Sequence, residues 1–365
     1  MRNLLLALDF GGTKLTAALA ARSALPEADS ANHQEEKRAE PGAPAWLAQQ
    51  RVFSPQEGSA QFDLDTMVSL SQALLAGQQP AAVGVSFGGP VDYESGTVRL
   101  SHHVPGWENI RLQQILEREF GAPARVDNDA NVAALGEYRF GAGRGYDDLL
   151  YVTVSTGVGG GWILNGRPWR GYQGVAGEIG HTVVDPNGPL CLCGKRGCVE
   201  RLASGPYMAQ DFMAERGSGG AGERGSGGAG ERGNGGAGEQ GSRGAGVTGK
   251  RVAALAAEGD SVAQRLLERG AWALGVAIGN AANLINPRLF VLGGGVTKSG
   301  ELWWSAVRRA ARRTALPEVD FEVVPAALGD DAPLWGAVAL AESVIAVVDP
   351  GRRASHPRSG RGKER

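Results

Sequence analysis

The sequence predicts an α/β protein of two domains, and three observations carry that expectation. At 365 residues the chain is long enough for roughly two domains with real apolar cores. Strand-like apolar runs close on glycine turns in four places, at "LDFGGTK", "SFGGP", "VSTGVGGG" and "VLGGGV". Between them lie segments with apolar residues at helical spacing. The formal net charge of -2 gives no global basic field for nucleic acid. No signal-peptide cleavage pattern follows "MRNLLLALDF", and no run approaches the ~20 apolar residues of a membrane span. The chain reads as a soluble, cytoplasmic protein without a nucleic-acid or membrane partner.

Along the chain, Leu4 to Ala20 reads as strand, glycine turn, strand, with Gly11 and Gly12 supplying the turn. Residues 21–50 dissolve into Pro, Ala, Glu and Gln and read as an extended hairpin loop. "LDTMVSLSQALLAG" has the spacing of a helix, "AAVGVSFGGPVD" is strand then turn, and "RLQQILEREFG" is an amphipathic helix closed by Gly121. "ARVDNDANVAALGEYRFG" is a strand followed by an acidic cluster at a helix start, and "DLLYVTVSTGVGGGWILNG" is two strands about a glycine turn. A helix begins at "SGPYMAQDFMAERG". From Glu215 to Gly246 near-copies of "ERGSGGAG" recur with a period of eight, too short and too polar for a solenoid, so this is a low-complexity disordered insertion. Helical pattern resumes near Arg251 and runs to about Asn286, "RLFVLGGGVTKSG" is a further strand and turn, and a last helix covers residues 332–348. The basic tail, 349–365, reads as disordered.

The chemistry-bearing residues fall into three groups. Glycine turns after strands let backbone N–H groups converge on phosphate, although each one alone reads equally as an ordinary turn. Asp9 stands before Gly11 and Gly12, where a carboxylate can hold Mg²⁺ beside phosphates. None of the turns fits a Walker P-loop or a dinucleotide fingerprint. "DNDAN" places Asp127, Asn128, Asp129 and Asn131 at a strand-to-helix junction, where an Asp serves as a general base or simply as a helix cap. All three cysteines, Cys191, Cys193 and Cys198, lie in "PLCLCGKRGCVE". An odd count with C-x-C spacing suits no disulfide framework. With His181 they supply one imidazole and three thiolates, the donor set of a closed structural Zn²⁺ site.

"LALDFGGTK", "VTVSTGVGGG" and "FVLGGGV" resemble the phosphate-1, phosphate-2 and adenosine segments of the actin-like sugar kinases. "GEIGHTVVDPNGPLCLCGKRGCVERLASG" resembles the signature of the ROK family, and "VDNDANVAALGEYRFGAG" its catalytic segment. The resemblance covers nearly the whole chain except the loop near 21–50, the repeat and the tail. It implies a two-domain actin-like ATPase (ribonuclease H-like) fold with a zinc-binding loop. The small domain spans residues 1–124 with the returning helix 333–348, and the large one 125–332. It further implies a homodimer or homotetramer.

By that resemblance the chain phosphorylates an aldohexose, glucose to glucose 6-phosphate, with ATP and Mg²⁺. Asp129 is the implied base. Gly89, Asn128, Glu178, His181 and Glu200 are the implied sugar contacts, and His181 serves zinc as well. Gly11, Gly12, Thr13, Lys14, Thr156 and Gly157 face the phosphates, and Gly293 and Gly294 border the adenosine. The same mechanism on N-acetylmannosamine, N-acetylglucosamine, fructose or allose remains open at this level. A sugar-responsive repressor of the same family is the non-enzymatic alternative; a strand beginning at Leu4 leaves no room ahead of it for a helix-turn-helix.

Overall fold

A computed structural model of the chain describes residues 3–12, 14–22, 45–55, 57–101, 104–218 and 247–348. Thr13, most of the 21–50 loop, the repeat from residue 219 to 246 and the tail from 349 lie outside them. The described residues form two compact units, one drawn from residues before 133 and after 332, the other from 133–332.

The first unit is built on β1 (Leu4–Phe10), β2 (Lys14–Ala21), β3 (Ala48–Phe53), β4 (Ala82–Phe87) and β7 (Ala124–Asn128), in the order β3-β2-β1-β4-β7. β1 and β4 are almost wholly buried, as their unbroken apolar runs require of strands covered on both faces. The pairs β1–β2 and β2–β3 are antiparallel, whereas β1–β4 and β4–β7 are parallel. A short hairpin, β5 (Val91–Asp92) and β6 (Thr97–Val98), follows β4. Helix α1 (Ala60–Leu75) is capped by Ser59, which accepts from the Phe62 N–H at 3.3 Å. Helix α2 (Leu112–Phe120) ends on Gly121 at φ 58°, the left-handed conformation read from its sequence.

The second unit repeats this plan with β8 (Leu149–Val154), β9 (Val158–Leu164), β10 (Arg167–Trp169), β11 (Leu289–Gly293) and β12 (Glu322–Pro325), ordered β10-β9-β8-β11-β12. Again the first three strands pair antiparallel and the last two join in parallel. Its helices are α4 (Val199–Ala203), α5 (Gly205–Ser218), α6 (Gly249–Ala257), α7 (Ser261–Ile285) and α8 (Glu301–Thr314). In α7, Gly275 and Gly279 face α8 closely; a methyl on Gly275 would lie 2.5 Å from the Val307 carbonyl. Helix α3 (Asp129–Phe140) starts in the first unit and continues into the second, and α9 (Ala332–Val348) returns to the first.

Several expectations change. Residues 48–50 belong to β3 rather than to a loop. β7 pairs with β4, so residues 125–132 belong to the first unit and the division follows Val132 rather than residue 124. Residues 215–218 of the expected insertion continue α5. The helix read from Arg251 to Asn286 is two helices: Gly259 turns at φ 96°, and Asp260 caps α7 by accepting from the Val262 and Ala263 N–H groups, both at 3.0 Å. Among the described residues no helix is long and apolar enough to cross a membrane.

Helix α9 lies on the first sheet at Gly84, where an added methyl would overlap the Ala337 carbonyl. Gly84→Ala is expected to destabilise the protein by about 1–3 kcal/mol through overpacking. Chemical denaturation measures this, and an unchanged midpoint would mean that α9 does not rest on the strand.

Candidate active site and metal loop

In the first unit, three parallel strands end at one level. Phe10 of β1 pairs with Phe87 of β4, and Phe87 with Asn128 of β7. The Gly11–Gly12 turn, the Gly88–Gly89 turn and the start of α3 at Asp129 therefore leave the sheet side by side at its carboxyl ends, where open α/β sheets bind ligands. Gly88 donates its N–H to the Phe10 carbonyl at 2.9 Å, and a methyl on Gly88 would sit 3.6 Å from the Gly12 nitrogen. The ring of Trp107 meets Phe10 and Phe87 edge-on at 5.6 and 4.8 Å, and its Nε1–H donates to Asp63 at 3.3 Å. Both strand ends are thus wedged from one side.

Asp9 is buried at the end of β1, and its Oδ1 accepts from the Ser86 hydroxyl at 2.8 Å. Asn128 Nδ2 donates to the Gly89 carbonyl at 3.1 Å and to Asp129 Oδ1 at 3.0 Å. Asp129 Oδ1 also accepts from the Ala130 N–H at 2.8 Å, and Asn128 Oδ1 from the same N–H at 3.0 Å. Asn128 and Asp129 are half-buried. Asp127 is buried, and its Oδ1 takes the Asn128 N–H at 2.8 Å and Asn131 Nδ2 at 3.3 Å. Asn128 and Asp129 thus share the Ala130 N–H at the start of α3, and both side chains stand at the helix start.

In the second unit the corresponding turns are Ser155–Gly157, between β8 and β9, and Gly294–Gly295, after β11. They touch: Gly294, at φ 88°, admits no side chain because a methyl there would overlap Val154. Thr156 is exposed. Glu200 reaches the first of these turns, with Oε2 accepting the Val158 N–H at 3.0 Å; a methyl on Gly157 would lie 2.8 Å from that oxygen. Glu178 is exposed and His181 half-buried, on a 3-10 turn that packs on β9 at Gly180, where a methyl would overlap the Val158 carbonyl. Beside Gly293 and Gly294 opens a cleft of about 250 Å³. Thr297, Lys298, Trp304, Pro325 and Ala326 also line it. Trp304 is held by its Nε1–H donating to the Thr297 carbonyl at 2.9 Å. Sequence reading missed these five residues, although "GGVTK" repeats the "GGTK" of the first turn and so marks Thr297 and Lys298.

The four sulfur and nitrogen donors come together as expected. The ligand atoms of His181, Cys191, Cys193 and Cys198 all lie within 4.8 Å of one another. Cys193 and Cys198 sulfurs are 3.5 Å apart, and His181 Nδ1 faces Cys191 Sγ at 4.0 Å. Gly194 closes the first knuckle at φ 83°, its N–H donating to the Cys191 carbonyl at 2.9 Å. Gly197, at φ 64°, lies where a methyl would overlap the Asp185 carbonyl. Burial pushes the Cys198 thiol up to about 12, reinforced by the Cys193 and Cys191 sulfurs, and raises Cys191 as well. At Cys193 burial is outweighed by the Lys195 N–H and the neighbouring thiols, which hold it below the ordinary range. Three sulfurs this close ionise together only with a cation among them. Both their spacing and their chemistry fit a metal ion.

Behind the loop, Arg201, which follows Glu200 on α4, makes a bidentate pair with Asp211 at 2.8 and 3.0 Å. Arg269 joins the same carboxylate, and the Arg201 guanidinium also lies 4.6 Å from the centre of the Tyr207 ring. Burial pushes the Asp211 carboxyl upward, but the two guanidinium groups outweigh it and hold the group below its usual range.

Fold and site together define an actin-like ATPase scaffold with paired glycine turns. Residues 5–344 match the ROK family. The glucokinase of Thermotoga maritima is 33% identical over 271 residues, which cover 74% of this chain and 81% of that one. The crystal structure of a ROK family glucokinase from Streptomyces griseus in complex with glucose and AMPPNP superposes with a TM-score of 0.68 at 30% identity, covering 93% of this chain and 99% of that one. The ROK hexokinase from Thermus thermophilus gives a TM-score of 0.72 at 29% identity, over 94% and 99% of the two chains. The chain belongs to the ROK family, and its fold is that family's actin-like ATPase fold with mixed α/β sheets.

The Asp211 pair makes a pH prediction. A depressed folded value means stability that is present above the unfolded value of about 3.9 and is lost as pH falls through the folded one. Asp211→Asn is expected to remove about 3–5 kcal/mol at neutral pH, as when one partner of a buried pair is lost. The gap between variant and parent closes as the medium is acidified below about pH 4. Urea unfolding at a series of pH values measures this, and a gap of constant size into the acid range would contradict it.

Proposed function

We propose that this chain is an ATP-dependent hexokinase that converts glucose to glucose 6-phosphate. The observation that carries the reading is the Asn128 side chain, which joins the Gly89 carbonyl to the Asp129 carboxylate beside the Gly11–Gly12 turn. In this reading the amide serves the sugar, the carboxylate is the base and the turn takes phosphate, all at adjacent strand ends. The similarity to the glucokinases of Thermotoga maritima and Streptomyces griseus supports the same substrate.

In this reading the Asp129 carboxylate takes the proton of the sugar's 6-hydroxyl as that oxygen bonds to the γ-phosphorus. The bond from γ-phosphorus to the bridging oxygen breaks, and ADP leaves. Two donors on Oδ1, from Asn128 and Ala130, fix the carboxylate's rotamer before substrate arrives. Gly89, Asn128, Glu178, His181 and Glu200 satisfy the remaining sugar hydroxyls, each of which needs a partner once buried. Gly11, Gly12, Thr13, Lys14, Thr156 and Gly157 face the phosphates, and the cleft beside Gly293 and Gly294 takes the adenosine.

Asp9 is the residue that would hold Mg²⁺. A buried carboxylate at a strand end beside a glycine turn suits an ion that keeps most of its waters. The ion supplies neutralisation of phosphate charge. His181, Cys191, Cys193 and Cys198 would hold Zn²⁺, their one imidazole and three thiolates being the donor set of a closed structural site. With His181 Nδ1 turned to the cysteines, Nε2 is directed away from them and serves the sugar. Held by these four residues, the loop between Glu178 and Glu200 would be fixed in place.

A coupled assay with ATP against glucose, N-acetylmannosamine, N-acetylglucosamine, fructose and allose tests the reading, with glucose expected to give the highest kcat/KM. Asp129→Asn is expected to lower kcat roughly 10²–10⁴-fold; turnover at the parent rate would remove Asp129 as the base. Metal analysis of tag-free protein is expected to find one zinc per chain. Far less than that in a folded, active sample would exclude the zinc assignment.

A further inference from the structure

Glu137 is fully buried on α3, within the segment that resembles the catalytic one but with no role assigned to it above. Its Oε2 accepts the Ala142 N–H at 2.8 Å and the Ala327 N–H at 3.1 Å, and its Oε1 accepts the Leu328 N–H at 2.8 Å. Burial raises its carboxyl against the pull of these three donors. The donors belong to two separate segments, and one of them is informative. Pro325 and Ala326 line the cleft beside Gly294, and so do Gly329 and Asp330. The two N–H groups that Glu137 holds, on residues 327 and 328, lie between those two pairs.

We infer that Glu137 is a positioning residue for nucleotide binding. It sets the far wall of the cleft by clamping the backbone of Ala327 and Leu328, and it touches no ligand itself. This deepens the nucleotide reading of the cleft given above and rests on it. The residue type follows from the geometry. A carboxylate has acceptors on both oxygens, one for Leu328 and one for Ala142 and Ala327. A carboxamide satisfies one side only and turns an N–H₂ against the other side's N–H donors. Gly141 leaves the room that the clamp needs, because a methyl there would overlap Glu137 Oε2 and come within 3.0 Å of Leu328. Its three partners, Ala142, Ala327 and Leu328, are none of the candidate sugar contacts.

The test compares the parent with Glu137→Gln and Gly141→Ala. Calorimetric titration with AMPPNP reads nucleotide affinity without turnover, and steady-state assays read KM for ATP and glucose separately. Both variants are expected to weaken AMPPNP binding and to raise KM for ATP roughly tenfold, about 1.4 kcal/mol, with KM for glucose within about twofold of the parent. A purely structural role would instead lower the thermal midpoint and the active fraction while leaving KM for ATP unchanged, and that result overturns the inference. So does failure of both variants to fold. A parent chain that binds AMPPNP but phosphorylates no sugar sinks the hexokinase reading and leaves the clamp standing. A parent that binds no AMPPNP removes the nucleotide reading of the cleft and the clamp with it.

Discussion

Main-chain atoms in this protein meet at close range with no side chain between them, and the candidate site depends on that contact. Gly88 rests on the Gly11–Gly12 turn, Gly294 on the end of β8, Gly180 on β9 and Gly157 against Glu200. At each of these places a β-carbon would press on backbone or on a carboxylate. Backbone N–H groups become available to a phosphate only where two turns come this near each other without bulk between them. The aromatic wedge of Trp107 and the small residues in α7 serve the same end, because they hold strands and helices at distances that ordinary side chains would widen.

The two sheets share one strand order and one set of pairing senses, and their glycine turns take equivalent places. In each unit one turn joins the first and second strands and another follows the fourth position in the sheet order. Parallel register then decides what stands beside what. Aligning Phe10, Phe87 and Asn128 across three strands is enough to bring Asp9, Gly89 and Asp129 to one edge. No side chain has to be long to reach the site, which keeps the ordering entropy of its groups low.

Four buried or half-buried acids form a second layer, and each is satisfied differently. Asp9 has a hydroxyl, Asp127 an amide and a backbone N–H, Asp211 two guanidinium groups and Glu137 three backbone N–H groups. Charge buried without such partners would destabilise the fold by several kcal/mol per ion. Except at Asp127, whose partners are local, these acids take partners from separate segments and so fix one piece of chain against another.

Much of the site was legible in the chain itself. Glycine after an apolar strand, an Asp-rich helix start and three cysteines in eight positions are local patterns, and their chemistry depends on neighbours a few residues away. Helix α8 and strand β12 were not legible. The helix starts at Gly300 without a side-chain cap, and the strand is three half-exposed residues followed by an exposed Pro325. The break before α7 hid within one helical pattern because Ala and Leu continue on both sides of Gly259. Nor did the line of residues mark Glu137 or the wall of the cleft, whose partners are about 190 positions apart. By itself the sequence determined which residues can bind phosphate, metal and proton, because those capacities belong to residue types at short spacing. Only the tertiary structure decided which of them share an edge and which acid holds the cleft in shape, because strand register and long-range hydrogen bonds form between segments that carry no mark of one another.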